Sequence, residues 1–125
     1  MTENEISYII RGEIFNIYNK FGPGLLESVY ENVLAHELGK KNLKVQKQLA
    51  LPFFYEGIKM DIGYWIDLLI ENKVIVEIKS VENILDVHHK QLITYLKLSN
   101  LKLGILVNFN TSEISKSIFR KVNGL

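Results

Sequence analysis

Two short apolar runs around a polar turn constrain the fold of this chain most strongly. They are Ile66–Ile70 and Val74–Ile78. Their β-branched composition and the intervening polar residues predict a β-hairpin. Because side chains alternate between the faces of a strand, the apolar residues form one buried face in the register 70/74, 68/76 and 66/78. This register leaves a three-residue loop centred on Asn72, and it places Asp67 directly opposite Glu77.

The facing acids Asp67 and Glu77 indicate a cation site. Two carboxylates opposite each other on a strand pair repel, and their neighbours are too apolar to solvate them well. A divalent metal with oxygen ligands would neutralise the pair, and Lys79 adds positive charge two residues further on. The alternative is an ordinary exposed hairpin face, where a lysine–carboxylate contact contributes less than ~1 kcal/mol. Because short motifs often occur without a function, this alternative is favoured unless residues elsewhere in the chain converge on Asp67 and Glu77.

Composition limits the class of protein and its partners. The 125 residues, 47% hydrophobic and 23% charged, predict a single globular domain over residues 1–125. A net charge of +1 gives no overall basic field, so nucleic-acid binding would depend on local patches such as Lys40–Lys47. There is no cysteine, no apolar run near the ~20 residues of a membrane span, and no signal-type core after the acidic N-terminus. We therefore expect a cytoplasmic protein without membrane contacts.

The remaining periodicity predicts helices around a sheet. Apolar spacing indicates helices over 5–21, over 26–39 with Leu26 and Val29 on the buried stripe and Gly39 as C-cap, and over 84–99. Strands are predicted over 45–55, 58–70 and 74–79, and a buried strand over 103–107. The segment 74–107 should form a right-handed parallel crossover. A last helical turn or two, capped by Thr111 or Ser112, should carry Ile114, Ile118 and Phe119.

Other polar and aromatic residues have structural explanations of their own. Glu27 is an acid in the first turn of a helix, where negative charge is favoured. Gln91 and Tyr95 are four apart and share one side of the third helix. His88 and its neighbour His89 lack the spacing of a metal pair and are expected at the helix surface. Trp65 is expected to pack beneath a helix rather than to stack on bases.

The order helix, three strands, helix, strand, with Asp67 and Glu77-Ile78-Lys79 at these places, resembles the PD-(D/E)XK (restriction-endonuclease-like) nuclease superfamily. The heptapeptide Gly24-Leu25-Leu26-Glu27-Ser28-Val29-Tyr30 is similar to the signature of the GxxExxY proteins, which are placed in that superfamily. The resemblance covers residues 6–122. It implies an α/β fold with a restriction-endonuclease-like αβββαβ core and a mixed central sheet flanked by helices.

The resemblance also implies a metal-dependent phosphodiesterase acting on DNA or RNA. Asp67, Glu77 and the Ile78 carbonyl would hold Mg²⁺ or Mn²⁺, and Glu27 would complete the acidic pocket, through a metal-bound water. Hard oxygen donors are the ligands that Mg²⁺ prefers. Such an ion activates water and stabilises the departing oxygen of an in-line displacement.

The same resemblance assigns catalytic roles beyond the metal. Together with Asp67 and Glu77, Lys79 would orient or deprotonate the attacking water, and Gln91 and Tyr95 would position the phosphate or the water. Nucleic acid is the implied partner, and a homodimer is compatible with this assignment. Two alternatives stay open: a non-catalytic nucleic-acid- or protein-binding module that retains the fold, and a hydrolase of a small phosphodiester, which the sparse basic surface would suit.

Overall fold

A computed structural model describes residues 1–125. The sheet has the order β1-β4-β5-β6-β7, in which only β5 and β6 are parallel neighbours. A separate two-stranded ribbon is formed by β2 and β3. The elements are α1 (Glu3–Phe21), α2 (Glu27–Lys40), β1 (Val45–Leu51), β2 (Phe54–Tyr55), β3 (Ile58–Lys59), β4 (Tyr64–Ile70), β5 (Val74–Lys79), α3 (Asp86–Ser99), β6 (Leu103–Asn108), a 3₁₀ turn (Ile114–Lys116) and β7 (Ile118–Val122).

The helices cover both faces of the sheet. One core cluster joins α1 and α2 to residues such as Ile70 and Val76, and a smaller one joins α3 to Ile75 and Leu106. The helix α3 lies so close to β6 that a Cβ on Gly104 would stand 2.7 Å from Leu92 Cδ1. The predicted α/β fold with a mixed central sheet flanked by helices is confirmed. None of the helices combines the length and hydrophobicity needed to cross a membrane.

The three predicted helices form, each with one or both ends displaced by one or two residues. Thr2 and Glu5 close a capping box at the start of α1. In α2 the first helical residue is Glu27, so Leu26 precedes the helix and is 73% exposed. Val29 is also exposed, and Gly39 lies inside the helix rather than at its cap. The predicted burial of Leu26 and Val29 is therefore wrong.

The two long strands predicted before the hairpin are each interrupted. The run 45–55 breaks after β1 at Pro52, which has no N–H to contribute to a ladder. The run 58–70 breaks over 60–63, where a Cβ on Gly63 would lie 2.7 Å from the Leu51 carbonyl oxygen. Ile58 and Ile62 are both exposed.

The hairpin of β4 and β5 follows the predicted register over its inner half only. Ile70 pairs with Val74 and Leu68 with Val76, as predicted. The third pair does not form, because Ile66 packs in the cluster beneath α3 while Leu68 packs in the opposite one. The change of face coincides with Gln48 on β1, which lies opposite Asp67, has a left-handed φ of 48° and is absent from the ladder with β4.

The C-terminal segment is a strand and not the predicted helix. Only the 3₁₀ turn Ile114–Lys116 is helical, and Ile118 and Phe119 belong to β7, which pairs antiparallel with β6. Because β6 is buried throughout, its free backbone edge requires a hydrogen-bonding partner, and β7 provides it. The predicted parallel arrangement of β5 and β6 around α3 is confirmed.

Candidate functional site

The candidate site lies where β4 and β5 separate, beyond the pair Leu68–Val76. Here carboxylates replace the backbone ladder. Asp67 Oδ2 accepts a hydrogen bond from the Ile78 N–H at 2.9 Å, and Glu77 Oε2 accepts one from the Asp67 N–H at 3.1 Å. The two acids thus face each other, and each is bound to the opposite strand.

Glu77 is the more unusual of the two acids. Only 5% of the residue is exposed, and burial, followed by the charge and hydrogen bonding of Asp67, raises the pKa of its carboxyl from 4.5 to about 9. The Asp67 N–H and the charge of Lys79 oppose this shift without cancelling it. Without an added cation, Glu77 is therefore protonated at neutral pH. A strongly shifted acid beside a charged partner is typical of functional sites.

A third acid reaches the pair from α2. Glu31 is 8% exposed, and burial, then the charge of Asp67, raises the pKa of its carboxyl. Gln48 Nε2 donates to Glu31 Oε1 at 2.8 Å and to Asp67 Oδ1 at 3.2 Å. The amide of Gln48 therefore connects two carboxylates that would otherwise repel.

Glu27 lies one helical turn before Glu31 and is bound at the end of β5. Its Oε1 accepts a hydrogen bond from the Ser80 N–H at 3.1 Å, and the Ser80 hydroxyl donates to the Leu25 carbonyl. The acid of α2 that bonds through Gln48 toward Asp67 is thus Glu31, while Glu27 lies beside the residue that follows Lys79.

The loop before Glu27 is held by Tyr30. The buried hydroxyl of Tyr30 donates to the Gly22 carbonyl and accepts from the Leu25 N–H, and its ring stacks on Phe109 at 4.1 Å between centroids. Gly24, at φ 110°, adopts a conformation that residues with a Cβ rarely take. Gly24 and Tyr30 therefore fix the loop that leads into α2 at Glu27.

Lys79 ends β5, half-buried, and takes part in none of the three ion pairs of the protein. Its partner in the parallel ladder is Asn108. The buried side chain of Asn108 bonds to both the N–H and the carbonyl of Val81. This bonding fixes the course of the chain directly after Lys79.

The opposite side of the site is formed by α3. Tyr95 is 4% exposed, and burial, followed by the charges of Glu77 and Asp67, raises the pKa of its phenol to about 12. Gln91 is half-buried one turn before Tyr95 on the same helix, and its amide opposes the upward shift of the Tyr95 pKa. The two predicted substrate-positioning residues therefore lie together, on the side of Glu77.

Three other aromatic residues take structural positions. His88 Nδ1 accepts from the Leu85 N–H at the start of α3. His89 packs edge-on against Phe119, and burial lowers its pKa. His88 therefore caps the start of α3, and His89 packs against a side chain of β7. Trp65, by contrast, is 60% exposed, so the prediction that it packs beneath a helix is wrong.

Comparison with known proteins assigns the family. A family model described as the PD-(D/E)XK nuclease superfamily matches residues 4–121, nearly the whole chain. The chain belongs to the PD-(D/E)XK nuclease superfamily. A solved structure, the crystal structure of SSO0001, is similar in fold, with a TM-score of 0.60 and 24% sequence identity. The similarity covers 98% of this chain but 63% of that one. No protein with a curated description matches the sequence.

The donor chemistry of the candidate site suits a hard divalent ion. No group of three or more His, Cys, Asp and Glu side chains is arranged to enclose a metal. Mg²⁺, however, needs only one or two carboxylates because it retains several waters. Asp67 and Glu77 provide two carboxylates, and neither forms an ion pair. A cation between them would also offset the burial of Glu77.

Sequence reasoning missed Glu31, Gln48 and Asn108. Glu31 could have been found, because it lies four residues after Glu27 and so shares its side of a helix. Asn108 follows a buried strand, which is a weak signal on its own. Gln48 gives no signal, since its role depends on a backbone irregularity and on two acids distant in sequence.

Proposed function

We propose that this protein is a Mg²⁺- or Mn²⁺-dependent phosphodiesterase that hydrolyses DNA or RNA. One observation supports the proposal most: Glu77 is buried directly against Asp67, and no lysine, arginine or histidine pairs with either acid. Burying a carboxylate beside another is costly unless a cation compensates. The chain also belongs to a nuclease superfamily, so phosphodiester hydrolysis is the reaction that a cation at this site would assist.

The metal ligands in this proposal are Asp67, Glu77 and the Ile78 carbonyl, with Glu27 contributing through a water. A divalent ion there would supply a Lewis acid to the phosphodiester and to water. The protein orients the ligands itself: the Ile78 N–H holds Asp67, and the Asp67 N–H holds Glu77. Glu27 is positioned at the same end of β5 by Ser80.

The catalytic groups in this proposal are Lys79, Gln91 and Tyr95, acting with the two acids. Lys79 has no ion-pair partner, so its ammonium is free to orient the attacking water. Tyr95, whose pKa is raised to about 12, keeps its proton and can donate a hydrogen bond to a phosphate oxygen. Gln91 orients that phenol or the water through its amide.

Within the superfamily, we assign the chain to the GxxExxY proteins. The support is structural: Gly24 needs its positive φ, Tyr30 fixes the loop, and Glu27 is thereby directed to the end of β5. Each residue of the signature thus serves the placement of one carboxylate.

Calorimetric titration with Mn²⁺ tests the metal site. The wild type should bind the ion, and Asp67→Asn should weaken binding by at least about 10-fold because one of two carboxylates is lost. Asp61→Asn is the matched control, since Asp61 is exposed and forms no ion pair. Equal affinities for wild type and Asp67→Asn would show that the ion binds elsewhere.

Cleavage of labelled single-stranded DNA, double-stranded DNA and RNA tests the reaction. Metal-dependent cleavage should fall by about 100-fold or more in Lys79→Ala, while Lys59→Ala, an exposed lysine of β3, should retain it. Cleavage restricted to a mononucleotide diester would assign the protein to small-molecule hydrolases instead.

One observation favours a second function, a non-catalytic binding module with the nuclease fold. Both site acids already accept backbone hydrogen bonds, and no larger acidic group is arranged around a metal. Nucleic-acid binding that is independent of metal, without cleavage of any substrate, would support this function and exclude the phosphodiesterase.

A further inference from the structure

Trp65 lies exposed on the face of the sheet that α1 and α2 cover, here called the α2 face. Its neighbours Tyr64 and Ile66 both pack in the cluster beneath α3, so alternation directs the indole to the opposite face. There 60% of Trp65 is exposed, and its partner on β1, Ala50, is small and exposed as well. The only tryptophan of the chain is therefore open to solvent two residues before Asp67.

Lys47 lies on the same face, on the other side of Asp67. It pairs with Leu68, which packs in the cluster beneath α1 and α2. Its ammonium donates to Asn32 Oδ1 on α2 at 3.1 Å and forms no ion pair. A groove of about 240 Å³ between α2 and β1 is lined by Asn32, Ala35, His36, Val45 and Lys47. Because no acid lines this groove, its charge suits a phosphate group.

The site acids lie between Trp65 and Lys47. The Gln48 amide donates to Glu31 on α2 and to Asp67, so the two carboxylates meet on the α2 face. Along the sheet, Asp67 lies between the rows of Trp65 and Lys47, which are three residues, or roughly 10 Å, apart. Neighbouring nucleotides of one strand can span that distance.

The arrangement on the α2 face selects the class of substrate. Exposed aromatic side chains bind unpaired bases by stacking, with little dependence on sequence. A duplex hides the faces of its bases and is bound through many phosphate contacts, whereas the net charge of this chain is only +1. A small phosphodiester would not reach both Trp65 and Lys47. The face is therefore suited to a single strand.

We propose that the protein binds single-stranded nucleic acid across the α2 face, with a base stacked on Trp65 and a phosphate bound by Lys47. The scissile phosphodiester then lies between them, at Asp67. The Lys47 ammonium has three donors, so it can bind a phosphate oxygen while it retains Asn32. This inference rests on the proposed phosphodiesterase for the location of the site, and it adds the class of substrate.

Fluorescence titration with short oligothymidylate and oligouridylate tests the stacking. In chelator at low salt, the titration requires neither the metal nor the reaction. Emission from Trp65, the single tryptophan, should be quenched by either strand, and the tighter ligand identifies DNA or RNA. A duplex of the same length should bind at least about 10-fold more weakly. Absence of quenching, or equal affinity for the duplex, overturns this inference but not metal-dependent hydrolysis.

Fluorescence anisotropy of labelled oligothymidylate tests the two residues. Trp65→Ala should weaken binding about 10-fold, and Trp65→Phe should retain most of it because a phenyl ring still stacks. Lys47→Ala should weaken binding and reduce the slope of log affinity against log salt by about 0.7, since one phosphate contact is lost.

Matched controls for these variants lie away from the α2 face groove. Tyr8→Ala removes an aromatic residue that is 80% exposed on α1, and Lys97→Ala removes an exposed lysine of α3. Both controls should bind oligothymidylate as the wild type does. Wild-type affinity in Trp65→Ala or in Lys47→Ala overturns the inference, as does an equal loss in the variants and their controls.

Discussion

The two ends of the β4–β5 hairpin are built on opposite principles. At the turn, Ile70, Leu68, Val74 and Val76 are fully buried and joined by a regular backbone ladder. At the other end, where the ladder would continue, the carboxylates of Asp67 and Glu77 accept the backbone hydrogen bonds instead. The turn end contributes stability, while the open end loses stability by burying an acid.

This difference shows how a small domain can hold a costly site. The apolar end belongs to a core cluster of 19 buried residues that also includes α1 and α2. Because the strands are fixed there, Asp67 and Glu77 stay adjacent although burying two acids together is unfavourable. The stability of the one end maintains the geometry of the other.

The largest expected effect is at the apolar end. Ile70→Ala should lower the free energy of unfolding by about 3 kcal/mol, because it opens a cavity in the main core. Urea denaturation measures this change. Mn²⁺ affinity of the folded fraction should be unaffected, and a loss below about 1 kcal/mol would mean that this end is not the stabilising one.

At the polar end, by contrast, a substitution is expected to raise the free energy of unfolding. Below pH 4.5 the folded and unfolded forms of Glu77 are both protonated, but between there and about 9 only the folded form retains the proton. The stability of the metal-free protein should therefore fall as pH rises through this window. Glu77→Gln should remove that dependence and raise stability at neutral pH by roughly 1–3 kcal/mol.

Thermal denaturation in chelator, from acid to mildly alkaline pH, measures the Glu77→Gln effect. Added Mn²⁺ should raise the melting temperature of the wild type and not that of the variant, since a bound ligand stabilises only the form that binds it. A variant less stable than wild type at alkaline pH without metal would mean that Glu77 is not destabilising.

Gln48 joins the acids of α2 and β4, and its loss should weaken the site more than the fold. Gln48→Ala should reduce Mn²⁺ affinity by about 10-fold, the usual effect of removing a group that orients a ligand. Gln46→Ala, on the same strand but paired with Leu69 near the apolar end, is the matched control. Equal losses in both variants would indicate a general effect on β1.

The smallest effect is expected from Tyr30→Phe. This variant retains the stack on Phe109 and loses the hydroxyl bonds to Gly22 and Leu25. Stability should fall by about 1 kcal/mol, the usual net value of a hydrogen bond. Hydrogen exchange of the Leu25 and Ser80 amides should accelerate, because the loop before Glu27 is released. Unchanged exchange at both amides would mean that the Tyr30 hydroxyl does not help to position Glu27.

Local patterns predicted most of the elements and failed where backbone geometry changed. The periodicity was sufficient to predict α1, α3 and the part of the hairpin next to its turn, since each of these buries one continuous face. Alternation failed over 58–66, because the strand is interrupted over 60–63 and the buried face changes between Ile66 and Leu68, beside the irregular Gln48. The strand β7 was missed because its burial pattern is mixed and its pairing with β6 is a tertiary contact.

By itself, the sequence determined the α/β class, the inner register of the hairpin and the meeting of Asp67 with Glu77. These features follow from alternation and spacing, which act over a few residues. Only the tertiary structure decided that Glu31 and Gln48 join the site, that Glu27 bonds to Ser80 and that the ribbon of β2 and β3 is exposed. The contacts link residues from separate elements, and the exposure depends on a local change in strand geometry. A periodic sequence pattern encodes neither of these features.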